Sequence, residues 1–301
     1  MSIQSQGSFA RLLQDGVNAV ATGSYNELPS EKDKIFKTYS SVKAYELDVA
    51  ISNGGLASLK PEGSATAYDN AKQDFTKTYQ HSVYSLGGII TMEAQMNNKA
   101  IDLATATGKW IKRSLMHTDE QLAADVINNG YTDATMMDGT YLFSTAHVYG
   151  KGGTFANRFS VFTSLSQAAV EDALIALEDL RDGAGLLLDV KGVSLHIPRQ
   201  LRFVADRING SKFEPNSANT ATINPVSGMF SGGTHVNHRF TSSTNWFIKT
   251  NVENGFKIFD RMGGYQFSQD NDFGTENFRT KGMFYKSYGV TDPRAAWGSG
   301  T

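Results

Sequence analysis

The chain has 301 residues, a formal net charge of −2 and no cysteine. This length allows one large domain or two smaller ones, and the balanced charge announces no basic face for nucleic acid or an anionic membrane. The absence of cysteine excludes disulfides, thiolate nucleophiles and thiolate metal sites, and fits synthesis in a reducing cytosol.

The opening MSIQSQGSFARLLQDGV has no charged stretch leading into an apolar run, so no secretory signal is expected. No apolar run approaches the ~18–20 residues that span a bilayer. Charged residues make up 19% and glycine 29 of 301, against ~25% and ~7% in typical domains. Much of the surface is therefore polar but uncharged, which costs little to desolvate against another subunit.

Residues 1–45 hold two short amphipathic segments, one at Phe9, Leu12, Leu13 and Val17, the other at Ile35, Phe36 and Tyr39. The polar stretch GSYNELPSEKDK separates them. Neither buries much alone, and the spacing predicts an N-terminal arm lying across something else. In ISNGGLASLKPEGSATAYDNAKQDF, residues 51–75, large apolar side chains nearly vanish. Its flanks read as strands: Tyr79, His81 and Val83 on one face, Tyr84 and Leu86 on the other. A long two-stranded excursion with a mobile tip accounts for both features.

Residues 97–129 form the strongest predicted helix, with Leu103, Ala106, Trp110, Leu115, Leu122 and Val126 as its apolar stripe and Asn98 as its N-cap. Unbroken, it would run ~45 Å. Gly108 weakens it, and Thr118 with Gln121 could cap a second start. SQAAVEDALIALEDLRD is a second helix, capped by Ser166 and stopped by Gly183, with Glu171, Asp172, Glu178 and Asp179 on its solvent face. From residue 192 strands dominate. GVSLHIP ends at Pro198, RQLRFVADRING is a short helix ending at Gly210, and 246–259 and 278–290 alternate in the strand manner. In the last of these Met283 and Tyr285 share one face, Phe284 and Tyr288 the other. The class is α+β, without internal repeats.

The chemical motifs are weak. In YLFSTAHVYGKGGTFANR, Ser144, His147 and Lys151 come close together, but a Ser–His pair needs an orienting third group and an oxyanion site, and no G-x-S-x-G elbow is present. The segment reads as a polar surface loop behind an aromatic anchor. ATATGKW at 104–110 puts Trp110 where a phosphate loop needs Ser or Thr. GKGG at 150–153 has no strand before it and no helix directly after it. His235 and His238 lack the further ligands a zinc site requires and read as surface histidines in a glycine-rich loop. DNDFG at 270–274 starts like a calcium loop but lacks the distal Glu, and reads as a turn between strands. No catalytic, cofactor-binding or metal-ligating residue is assigned.

The order of segments carries more. DGTYLFSTAHVYGKGG, ALEDLRDGAGLLLDVKGVSLHIPRQLRFVADRI, NWFIKT, GYQFSQDNDFGTENFRTKGMFYKSYGVTDPRAAW and DFTKTYQHSVYSLGGIITMEAQMNNKA together resemble the major capsid proteins of tailed bacteriophages with the Hong Kong 97-type fold. The likeness is greatest to the Mu-like prophage major head subunit group. Lys191-Gly192 departs from relatives that carry Pro before the strand, and no long extra N-terminal segment of the fused-scaffold kind is expected. The resemblance implies an arm at 1–45, an extended loop at 46–82, a peripheral domain with a spine helix at 83–130, a mainly axial domain at 131–260 and a return to the peripheral domain at 261–301. It implies a non-enzymatic subunit of the virion, made in the bacterial host cytoplasm. It would assemble with itself into pentamers and hexamers around double-stranded DNA held without sequence specificity. Portal, scaffolding and head-completion or decoration proteins are the implied partners, with no membrane and no cofactor. Two other readings are an encapsulin-like nanocompartment shell and a hydrolase using Ser144 and His147.

Overall fold

A computed structural model of the protein describes residues 3–4, 29–52, 54–97, 103–148, 153–213 and 223–300. The first amphipathic segment (Phe9 to Val17), the Asn98 cap and Lys151 lie outside these residues.

The chain begins with β1 (Ile3–Gln4), α1 (Lys32–Ile35), β2 (Lys37–Ser40), β3 (Tyr45–Ser52), β4 (Lys72–Gln80) and β5 (Ser82–Ile90). Then come α2 (Met92–Asn97), the long α3 (Leu103–Asn128), β6 (His147–Val148), β7 (Thr154–Phe155) and α4 (Gln167–Glu178). The remainder is β8 (Gly192–Pro198), α5 (Arg202–Gly210), β9 (Gly233–Asn237), β10 (Trp246–Thr250), β11 (Phe256–Asp260), β12 (Gln266–Asn271), β13 (Phe278–Val290) and β14 (Ala296–Ser299).

Two sheets organise the body. In the six-stranded sheet β13 is the centre: β5 runs antiparallel along one edge, while β12 and then β11 occupy the other. β2 joins β11 in parallel and β1 joins β5 in parallel. The four-stranded sheet has the order β14-β10-β8-β9. Alternation within β10 serves two cores at once. Trp246 and Ile248 face a cluster with Leu195, Ile197, Val170, Ala173 and Leu177, while Phe247 faces Phe143, Phe256, Ile258 and Ile35. Residues on both faces are thus removed from water, which is why WFIKT and GVSLHIP read as near-continuous apolar runs.

α3 lies on the six-stranded sheet, which it approaches closely over two glycines. A Cβ on Gly88 would sit 2.7 Å from Thr107 Cγ2, and one on Gly282 2.7 Å from Leu115 Cδ1. The helix is continuous through the expected second start. Thr118 Oγ1 donates to the Ser114 carbonyl within the same helix, and Gln121 Nε2 donates to Asp125. Its buried row is Thr107, Ile111, Leu115, Asp119, Ala123 and Ile127. Trp110 and Leu122 pack at the margin of this row, not along its centre. Leu115 of the expected stripe lies in this row, while Ala106, Trp110, Leu122 and Val126 stand one position before its members, because two of the inward residues, Thr107 and Asp119, are polar.

Local signals place the shorter elements. Ser166 Oγ accepts the Ala169 N–H at the start of α4, and α4 ends at Glu178, before Gly183 is reached. β8 stops at Pro198 and α5 at Gly210, as their sequences predict. The expected single strand through 79–86 is instead two. The chain passes from the β3–β4 pair into the six-stranded sheet at His81, so Tyr79 and His81 are buried while Val83 is exposed.

Candidate assembly surface and its anchoring networks

His147 is fully buried, contrary to the surface-loop reading. Its Nδ1 is 2.7 Å from Asp138 Oδ2 and 3.0 Å from Thr140 Oγ1, and its Nε2 is 3.2 Å from both the Leu142 carbonyl and Asn157 Oδ1. Asn157 Nδ2 donates to the carbonyls of Leu142 and Pro293. Burial works against the Asp138 carboxylate, but hydrogen bonds from His147 and Thr140 prevail and lower its pKa to about 2. Ser144 has other partners: its N–H donates to Asn157 Oδ1 and its Oγ accepts from Ala146 N–H. Among the described residues no hydrogen bond joins Ser144 to His147. The imidazole ties the two ends of the 138–157 loop together, and Asn157 ties that loop to the C-terminal segment.

The other candidates part company in the same way. His235 stands in strand β9 and not in a loop, half-buried against His196, with ring centroids 5.2 Å apart. His238 Nδ1 lies 2.5 Å from Glu31 Oε1. Each histidine is committed to a different neighbour. ATATGKW lies inside α3. DNDFG runs from the end of β12 into the β12–β13 turn, where the Asp272 carboxylate accepts from Thr275 Oγ1 and Arg279.

Asp119, which gave no signal in the sequence, is the centre of a buried polar network. Its carboxylate accepts from Lys286 Nζ at 2.7 Å and from the hydroxyls of Tyr265 and Tyr288 at 2.6 Å each. Burial opposes its charge, but Lys286 and the two phenols outweigh that cost and hold its pKa below the usual carboxylate range. Next to it, Glu120 accepts from Ser30 Oγ, from the N–H groups of Glu31 and Lys32, and from Lys32 Nζ. This network fastens the segment around α1 to the long helix. Burial pulls the Lys32 ammonium down, but Asp119 and Glu120 together raise it.

The β3–β4 hairpin is the feature that no internal core explains. It is paired from Tyr45↔Gln80 to Ser52↔Lys72, with a bulge past Val49. YELDVAIS alternates, and the structure turns the apolar set outward: Tyr45, Leu47, Val49 and Ile51 are exposed, Leu47 at 50% and Ile51 at 64%. Their cross-strand neighbours Thr76, Thr78 and Gln80 are exposed and uncharged. The polar set turns inward. Asp48 accepts from Lys257 Nζ at 2.7 Å and from Thr291 Oγ1, whose oxygen in turn accepts from the buried Tyr79 hydroxyl at 2.6 Å. Glu46 accepts from Ser41 Oγ and Lys43 Nζ. The hairpin is therefore fixed to the body through polar contacts and presents an uncharged, apolar outer face. Beyond it the excursion at 55–71 is exposed except for half-buried Ser64, including Leu56, Leu59 and Tyr68. Asp69 spans its neck by accepting the Gly55 N–H.

The fold is shared with solved chains from phages and from a GTA particle. The fold is similar to that of a chain from Mycobacterium phage Patience, with a TM-score of 0.60, 11% identity, and coverage of 99% of this chain and 92% of that one. It is similar to the capsid of bacteriophage JBD30 decorated with minor capsid protein trimers, with a TM-score of 0.61, 11% identity, and coverage of 80% and 100%. It is also similar to the capsid of a native GTA particle, with a TM-score of 0.60, 10% identity, and coverage of 93% and 94%. No curated protein matches the sequence significantly. The sequence matches the phage capsid protein family over residues 74–298, and the chain belongs to that family. It is a major shell protein of the tailed-phage type, with the Hong Kong 97-type fold.

Proposed function

We propose that this subunit assembles with copies of itself into pentamers and hexamers that close an icosahedral head around double-stranded DNA, in a bacteriophage or prophage of the Mu-like kind. The observation that carries the reading is the inverted hairpin. An exposed apolar β-face on a hairpin held by buried polar contacts is suited to burial against a neighbouring subunit. On this reading 46–82 is the extended loop, 1–45 the arm, 83–130 the peripheral domain with α3 as its spine, 131–260 the mainly axial domain and 261–301 the return. Portal, scaffolding and head-completion or decoration proteins complete the set of partners. Synthesis takes place in the host cytoplasm, and the subunit performs no catalysis.

Negative-stain microscopy of the expressed protein, alone and with co-expressed scaffold, tests this. Closed shells built from pentamers and hexamers are expected. Monomers or dimers under all conditions would refute it, and closed shells that hold protein cargo but no DNA would favour the nanocompartment reading.

A further inference from the structure

The N-terminal part of α3 concentrates positive charge that the whole-chain balance conceals. Residues 103–118 contain Lys109, Lys112 and Arg113 and no Asp or Glu. These three, with Met116 and His117, are exposed on one side of the helix, at the i, i+3, i+4 spacing that sets neighbours about 5–6 Å apart. They line a groove of about 320 Å³ together with Lys32, Arg239, Glu120 and Tyr265. Among the described residues, Lys109 and Lys112 have no carboxylate within ion-pair distance. The one carboxylate lining the groove, Glu120, is already satisfied by Ser30, Lys32 and two backbone N–H groups. Arg239 donates from Nη2 to His117 Nδ1, and its buried Nη1 makes no hydrogen bond but lies 3.5 Å from Glu31 Oε2 and 4.0 Å from Glu120 Oε2.

We propose that this groove receives the phosphodiester backbone of packaged duplex DNA, so that this face of α3 lines the shell interior. The proposal rests on the capsid reading above. A linear row of ammonium and guanidinium groups complements a linear array of phosphates and reads no sequence. The volume lies at the low end of small-ligand clefts, enough for a sugar–phosphate segment. An acidic protein segment would need apolar anchor pockets for affinity. The large apolar or aromatic side chains here are Met116 and Tyr265, and the Tyr265 hydroxyl is already bonded to Asp119.

The test is binding of a short mixed-sequence duplex to the full-length protein, followed by fluorescence anisotropy between about 50 and 200 mM salt. Each lost phosphate contact reduces the slope of log K against log salt by ~0.9. The double variant Lys109→Gln/Lys112→Gln should therefore lower the slope by about 1.8 while shells still form, and Lys60→Gln on the excursion should leave it unchanged. A parental slope in the double variant would overturn the proposal. So would displacement of the duplex by polyglutamate at equal charge, which would assign the groove to an acidic protein. Shell formation is read separately by microscopy. Its absence in the parent would overturn the capsid reading and this proposal with it, whereas intact shells with an unchanged slope overturn the groove alone.

Discussion

The four-stranded sheet and the β3–β4 hairpin obey the same two-residue side-chain period and reach opposite results. In β10 successive side chains enter two internal clusters, with Trp246 and Ile248 on one side and Phe247 on the other, and nothing large remains outside. In β3 the alternation is equally regular, yet its apolar half faces water and its charged half faces the body. Period-two alternation assigns residues to faces; it does not say which face the same chain will cover. An apolar face left uncovered by its own chain is complete only in an assembly.

The largest effect is expected where the body has least freedom to adjust. Removing one partner of a buried charge network leaves the others desolvated, at ~3–5 kcal/mol. Asp119→Ala should therefore strand Lys286, Tyr265 and Tyr288 and lower the melting temperature steeply, or give insoluble protein. A normally melting variant would show that this network does not anchor the helix.

Next comes the register of α3. Ile111→Ala should cost ~2–5 kcal/mol as a core truncation, whereas Met116→Ala, on the exposed side, should stay within ~0.5 kcal/mol. Chemical denaturation measures both, and a reversed ranking would rotate the helix face away from the one described.

Acid should weaken the body in two stages. Burial first, then the neighbouring His235 and Lys249, hold the His196 pKa well below its ordinary 6.5. The unfolded chain therefore binds that proton first. The contribution is present above pH ~6.5 and lost as pH falls below it. Asp138, lowered to about 2, contributes above its ordinary 3.8 and is lost only between there and about 2. The melting temperature should thus begin to fall below pH ~6.5, and His196→Gln should reduce that first stage, to which burial of His81 and His235 also contributes, while leaving the second. A profile flat from pH 7 to 5 in the parent would contradict the first stage.

How much was legible follows from where the signal lies. β8, α4 and α5 could be read because Ser166, Pro198 and Gly210 act within a few residues of themselves. Most of the stripe of α3 was read one position off because a hydrophobic template passes over Thr107 and Asp119, whose inward position depends on Gly88, Lys286 and two tyrosines distant in sequence. His147 looked like part of a loop because its partners Asp138 and Asn157 are ordinary polar residues until the fold brings them together. The strand through His81 looked continuous because a change of sheet leaves no mark in alternation. The hairpin's length and its apolar-poor tip were visible, while the outward turn of Tyr45, Leu47, Val49 and Ile51 was not. The basic side of α3 was hidden by a whole-chain charge near neutrality.

The smallest expected effect on the isolated subunit is also the most direct test of the account. Leu47→Asn/Ile51→Asn changes two side chains that no internal core covers, so the subunit's melting temperature should move by no more than a few degrees. Sedimentation velocity under conditions where the parent forms shells should then show the variant as subunits or capsomers, with the fast-sedimenting particle absent. Shells of parental size and stability would contradict the central claim that the hairpin's apolar face is an intersubunit surface. A variant that unfolds would contradict it too, by showing that the face belongs to the subunit's own core.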